Sequence, residues 1–235
     1  MKPARPSTTP QPGSSGAPAG TTGGAPAAGA GAAGAGAAGA AAGPDLRAVI
    51  AAAFAEHRRV LEAGAESLPA AMEAAAKLLI AGYRAGGKAI LFGNGGSMTD
   101  ALHVEGELVG RFGYDRPGVA AVALAGHSSL TAIANDYGYE NAFARMLEAH
   151  ARPHDVALGF STSGNSKNVV LALQRARELK LATIAFTGEG GGQCRALADV
   201  CLMVPSRQTP RIQELHILAG HTLCDLVEQA LFPRR

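Results

Sequence analysis

Five short apolar runs, each bounded by turn-forming residues and separated by stretches of helical length, constrain this chain more than any other feature. They are Lys88–Gly93 (KAILFG), Val119–Leu124 (VAAVAL), Asp155–Phe160 (DVALGF), Ala182–Thr187 (ATIAFT) and Asp199–Val204 (DVCLMV). Continuous apolar runs of this length suit parallel strands covered on both faces. The segments 97–112, 128–150 and 166–179 predict the helices that parallel crossovers require. Ahead of the first strand, Asp45 is placed to cap a helix through Leu46, Val49, Ile50 and Phe54, and Ser67 with Pro69 just inside it predicts the start of a second. A final helix is predicted over Thr209–Leu231. The fold class is therefore α/β, built on five buried parallel strands.

Composition adds a boundary. Residues 1–44 are almost wholly Ala, Gly, Pro, Ser and Thr, without an acidic residue and with only Lys2 and Arg5 as charges. The run GAGAAGAGAAGA sets a glycine every two or three residues, each costing about 1 kcal/mol against alanine in a helix interior. This segment reads as a disordered tail preceding one domain over residues 45–235. It has neither the compact apolar core of a secretory signal nor the roughly 20 apolar residues of a membrane span. Three cysteines, Cys194, Cys201 and Cys224, without CxxC spacing suggest neither a disulfide framework nor a thiolate zinc site, and a cytoplasmic setting follows. A net charge of +2, 5% aromatic residues and no tryptophan argue against a nucleic-acid partner.

Two predicted strand ends carry the chemistry. KAILFG leads into Asn94-Gly95-Gly96-Ser97, and DVALGF into Ser161-Thr162-Ser163-Gly164-Asn165-Ser166. Open parallel sheets bind ligands at the carboxyl ends of their strands, near a topological switch point. Glycines admit close backbone approach to an anion, and hydroxyls beside a helix start make a phosphate cradle without a lysine. Either loop alone can equally be a set of turns and caps; two at corresponding ends of βα units favour the ligand site. Neither strand end carries GxxxxGK[ST] or GxGxxG, the only GxGxxG matches being the GAGAAG repeats of the Ala/Gly segment at 29–39, so neither a nucleotide triphosphate nor a dinucleotide is indicated.

A second constellation lies on the helix after Ser97, where His103 and Glu107 are four residues apart on one face and Glu105 points elsewhere. Such a pair can hold a metal or be an ordinary surface contact. The last helix adds Gln213, Glu214, His216 and His221 within an apolar stripe, where polar groups need partners once buried. Gln213 and His221 are separated by about 12 Å of helix. They reach one ion only with side chains extended toward each other, and contributions from two subunits are an equally open solution.

The motifs GNGGS with HxxxE six residues on, RPG, TAIANDYG, DVALGFSTSGNS, TGEGGG and RIQELH followed by a further His together resemble the bacterial phosphoheptose isomerases, sugar isomerase (SIS) domain proteins, over residues 46–233. The resemblance implies a three-layer sandwich with a five-stranded parallel sheet between helices, assembled as a homotetramer with active sites at subunit interfaces. It implies Glu107 and His221 at the catalytic positions, and one Zn²⁺ per subunit held by His103, Glu107, Gln213 and His221. It implies substrate contacts from Asn94, Gly95, Gly96, Asn135, Asp136, Ser161, Thr162, Ser163, Ser166 and Gln213, with Ser97 a further contact. The substrate implied is a sugar phosphate, sedoheptulose 7-phosphate, isomerised through an enediol as the first step of activated heptose synthesis. Non-catalytic proteins of the same fold, such as a partner of the replication initiator DnaA or a sugar-phosphate sensor, form the alternative. The DnaA-binding relatives lack the glutamate and final histidine that this chain carries. Met98-Thr99 replaces smaller residues common after GNGGS and predicts a narrower pocket mouth, while His127 reads as a loop or cap residue.

Overall fold

The structure, a computed structural model, describes residues 43–234; the tail expected over residues 1–44 lies, but for its last two residues, outside them. The first helix, α1 (Leu46–Ser67), opens where expected: the Asp45 carboxylate accepts from the N–H groups of Arg47 and Ala48 at 3.0 and 3.3 Å. Ser67 does not open the next helix. It closes α1, its hydroxyl donating back to the Ala63 carbonyl, and α2 (Pro69–Arg84) starts from Leu68 without a side-chain cap. Proline at the first helical position needs no partner for its missing N–H, so the cap is dispensable there.

Five parallel strands follow among the described residues: β1 (Ala89–Gly93), β2 (Ala121–Ala123), β3 (Val156–Ser161), β4 (Ala182–Thr187) and β5 (Val200–Met203), in the order β2-β1-β3-β4-β5. Every residue of β1 and β3 is buried. Their side chains alternate between two cores, as the two-residue period of a strand demands. Leu91, Leu158 and Phe160 enter one core, and Ile90, Phe92 and Ala157 the other. The second apolar run yields only three strand residues, all half-buried, because β2 is an edge strand paired with β1 alone.

The helices sort onto opposite faces. α1, α2, α3 (Gly96–Val109) and α8 (Thr209–Leu231) pack on one another, whereas α4 (His127–Tyr137), α5 (Ala142–His150), α6 (Lys167–Glu178) and the short α7 (Cys194–Leu197) form the other layer. The helix expected over 128–150 is broken: Gly138 takes φ 86°, and a 3₁₀ turn over Tyr139–Asn141 redirects the chain into α5. The final helix occupies the expected span.

This topology positions the site. β1 and β3 are adjacent, with Gly93 opposite Phe160, yet the chain leaves β1 into α3 on one face and β3 into α6 on the other. The crevice between two such departures is the switch point where ligands of open α/β sheets bind, and both candidate loops lie on it.

Candidate active site

The loop after β1 turns on Gly95, whose φ of 54° and ψ of −122° suit glycine alone. Behind it, the N–H groups of Ser97 and Met98 are taken by the carbonyls of Asn94 and Gly95. Gly96 is exposed, and a Cβ there would stand 2.5 Å from the Gln213 side-chain nitrogen, so the Gln213 amide lies across this loop. Met98 packs against both hydrophobic cores. Met98 itself is half-buried, and Thr99 is exposed with its hydroxyl donated to the Gly96 carbonyl.

The loop after β3 is built around Ser161 and Ser166, whose hydroxyls pair at 2.9 Å. Gly164 (φ 66°) lies so close to the strand-following loop at 188–193 that a Cβ would sit 2.1 Å from the Gly191 carbonyl. That second loop braces the first: Gly188 N–H donates to the Thr162 carbonyl, Cys194 N–H to the Gly164 carbonyl, and Gln193 N–H to Asn165 Oδ1. Thr162 and Ser163 keep access to solvent. The N-terminus of α6 opens on the loop, where helix dipole and first-turn N–H groups favour an anion.

Beside these loops, α3 and α8 cross and bring together residues 118 apart in sequence. His103 and His221 face each other with Nε2 atoms 2.8 Å apart, and His103 Nε2 lies 3.3 Å from the Glu107 carboxylate. One donor atom from each of His103, Glu107 and His221 falls within 4.8 Å of the others. A tetrahedral zinc with bonds near 2.0–2.1 Å sets its donors about 3.3 Å apart, so two imidazoles and a carboxylate at these separations suit such an ion in number, chemistry and spacing. α8 is continuous, and two helical turns separate Gln213, against Gly96, from His221.

Asn135 and Asp136 lie on α4, exposed, and among the described residues their side chains bond only to each other, at 2.8 Å. Tyr139, just beyond them, reaches the first loop by donating its hydroxyl to Asn94 Oδ1 at 2.8 Å. His127 is the first residue of α4, consistent with a loop-end role.

Three further residues support the site, and of these the sequence singled out only His216. Arg116, of the RPG motif, forms an ion pair with Glu228 of α8 in which neither side chain is more than 2% exposed, and its guanidinium also donates to the carbonyls of Glu107 and Leu108. Burial would raise the Glu228 carboxyl, but the N–H groups of Phe112 and Gly113, Arg116 and the Tyr114 N–H outweigh it and hold the carboxyl below its ordinary value. The end of α3 that carries Glu107 is thereby tied to the helix that carries His221, and Phe112 is set against the His221 ring at 5.6 Å. Asp100 lies one turn before His103; burial pushes its carboxyl up to about 6, against the opposing charge of His103, and its Oδ2 has no partner among the described residues. His216 is a core residue: its Nε2–H donates to the Thr187 carbonyl at 3.1 Å and its ring stands edge-on to Phe160 and Phe186. Helical spacing from His103 is the one signal that could have flagged Asp100.

Fold and site together define a sugar isomerase domain: the SIS domain family model matches residues 54–188, and the chain belongs to that family. Within it, the chain belongs to the phosphoheptose isomerases. A phosphoheptose isomerase of Sulfurimonas denitrificans is 52% identical over 144 residues, 61% of this chain and 74% of the relative. The solved phosphoheptose isomerase of Neisseria gonorrhoeae superposes with a TM-score of 0.74 at 41% identity, over 78% of this chain and 99% of that one. That of Francisella tularensis superposes at 0.75 with 35% identity, over 78% and 98%.

Proposed function

We propose that the chain is an aldose–ketose isomerase converting sedoheptulose 7-phosphate into D-glycero-D-manno-heptose 7-phosphate, the first step of activated heptose synthesis. The observation that carries this reading is the convergence of His221 from α8 upon His103 and Glu107 of α3, beside two anion-suited loops. A base and an acid facing one pocket are what the reaction needs. Glu107 removes a proton from C1 of the open-chain ketose, giving an enediol, and returns it to C2. His221 takes the proton from O1 and supplies one to O2, so the isomerisation is redox-neutral within the substrate. The Ser161–Ser166 loop holds the phosphate at the far end, and that remote binding orients the reacting end.

One zinc ion per subunit would be held by His103, Glu107 and His221, with Gln213 as the further family ligand. Bound there, it would polarise O1 and O2 and stabilise the developing negative charge. Asn94, Gly95, Gly96, Ser97, Asn135, Asp136, Thr162, Ser163 and Gln213 complete the substrate contacts in this reading.

The homotetramer is supported by an apolar stripe on α1. Leu46, Val49, Ile50 and Phe54 recur at helical spacing yet are 57–71% exposed, and an apolar groove between α2 and α8 is lined by Met72, Ala76, Ile80 and Leu226. Exposed stripes of this kind mark association surfaces. Among the described residues no helix is long and apolar enough to cross a membrane, and we place the enzyme in the cytoplasm, where its phosphorylated substrate arises. The test is direct: zinc-loaded protein incubated with sedoheptulose 7-phosphate should yield an aldoheptose phosphate, and no conversion would overturn the assignment.

A further inference from the structure

The two ligand loops are joined across the crevice by a hydrogen-bonded amide pair that the isomerase chemistry does not itself require. Asn94, the first residue after β1, and Asn168, the second residue of α6, face each other so that each side-chain nitrogen donates to the other's oxygen at 2.8 Å. Asn168 is 3% exposed. Its orientation is settled by a group that can only donate: Val169 N–H lies 3.0 Å from Asn168 Oδ1, so that atom must be the oxygen. The remaining polarity follows. Asn168 Nδ2 must donate to Asn94 Oδ1, and the Tyr139 hydroxyl adds a second donor to the same oxygen.

A carbonyl oxygen with two donors is fully used, and one hydrogen of Asn94 Nδ2 is spent on Asn168. The Asn94 side chain therefore keeps a single N–H to offer a ligand, and its main engagement is structural. The three residues of the network come from three segments. Asn94 leads into Gly95 and Gly96, Asn168 follows directly on the Ser161–Ser166 loop, and Tyr139 ends the stretch that carries Asn135 and Asp136. Because α3 and α6 leave the sheet on opposite faces, the β1–β3 ladder ends at Gly93 and Phe160 and does not continue across the crevice. Side chains must hold the separation of the loops there.

We propose that Asn168 and Tyr139 are positioning residues that lock the three substrate-bearing segments to one another through Asn94, fixing the distance between the phosphate loop and the reacting end of the sugar. This rests on the isomerase reading given above. A substrate that spans both loops feels the lock; an anion that occupies one loop does not. With the spacing pre-set, a substrate that bridges both loops does not have to order them on binding, in the ground state and the transition state alike, so the lock acts on KM.

Tyr139→Phe deletes one hydroxyl from an exposed residue and leaves the fold intact. With sedoheptulose 7-phosphate as substrate and inorganic phosphate as competing probe, we expect the KM of Tyr139→Phe to rise about 3–10-fold, the range for one lost hydrogen bond. kcat should stay within about twofold and the inhibition constant for inorganic phosphate should be unchanged. Asn168→Asp, which sets an oxygen against Asn94 Oδ1, should show the same split more strongly. In the double variant the effects should fall short of multiplying, since both act through one oxygen. An unchanged KM in Tyr139→Phe would overturn the proposal whatever happens to Asn168→Asp. So would a parallel weakening of phosphate and sugar phosphate, which marks damage to the phosphate loop itself. Wild-type protein that fails to turn over sedoheptulose 7-phosphate would instead overturn the isomerase reading, so the two failures are told apart.

Discussion

His216 anchors the middle of α8 to the sheet, between Gln213 and His221, and it offers a sharp test of how that helix is held. Its Nε2–H donates to the Thr187 carbonyl, and its Nδ1 is buried with no partner among the described residues. Protonation would place a charge and an unpartnered N–H in the core. Burial accordingly lowers its pKa from 6.5 to about 4, the hydrogen bond to Thr187 opposing in part. The sign follows from linkage: between these two values the unfolded chain binds a proton that the folded chain refuses, so stability rises with pH through this window and is lost on acidification. Over the whole window the loss is on the order of 3 kcal/mol, and between pH 7 and pH 5 it comes to about 2 kcal/mol. His216→Leu removes the titration while keeping an apolar side chain in the core. At pH 7 the variant should be less stable by about 1–2 kcal/mol, from the lost hydrogen bond and poorer packing. Urea unfolding of both proteins at pH 7, 6 and 5, at one protein concentration, measures the gap between them. From pH 7 to pH 5 the gap should move by about 2 kcal/mol in favour of the variant, closing or reversing, with the other histidines cancelling in the difference. A gap that stays constant within about 0.5 kcal/mol would show that His216 is not held neutral and that α8 is anchored otherwise.

Glu107→Gln and His221→Gln should each fold and bind substrate but lose at least about 100-fold in kcat; near-normal turnover in either would remove that residue from acid–base work. A chelator should lower activity without unfolding the protein, unlike a closed structural site of four strong ligands, and Zn²⁺ should restore it; metal analysis of His103→Ala should show a lowered zinc content. Phe54→Asp on the exposed stripe of α1 should shift the sedimentation coefficient toward smaller species, and an unchanged value would move the subunit interface elsewhere. Since residues 1–42 carry no acidic and almost no large apolar side chain, deleting them should leave the melting temperature and turnover unchanged.

The periodicity of the chain by itself determined the α/β class, the places of the five strands, the Asp45 cap and the span of α8, because strand runs and capped amphipathic helices are local patterns. The two loops at the strand ends and the His103/Glu107 pair were legible for the same reason: their members lie within one turn or one helical repeat. Relations between distant segments were legible only where the family resemblance supplied them, as for His221 with His103 and Glu107; physically it is the tertiary structure that decides them. That His221, and not His216, joins His103 and Glu107 depends on which face of α8 turns toward α3. His216, on another face of the same helix, packs on Phe160 and Phe186 instead. The break at Gly138 was hidden because helical periodicity persists on both sides of it, and a single positive φ redirects the chain. The ion pair of Arg116 with Glu228 and the amide pair of Asn94 with Asn168 join residues 112 and 74 positions apart. Such pairs leave no periodic signature, since a hydrogen bond across a crevice is set by the crossing of helices and the order of strands, which no local stretch of sequence encodes.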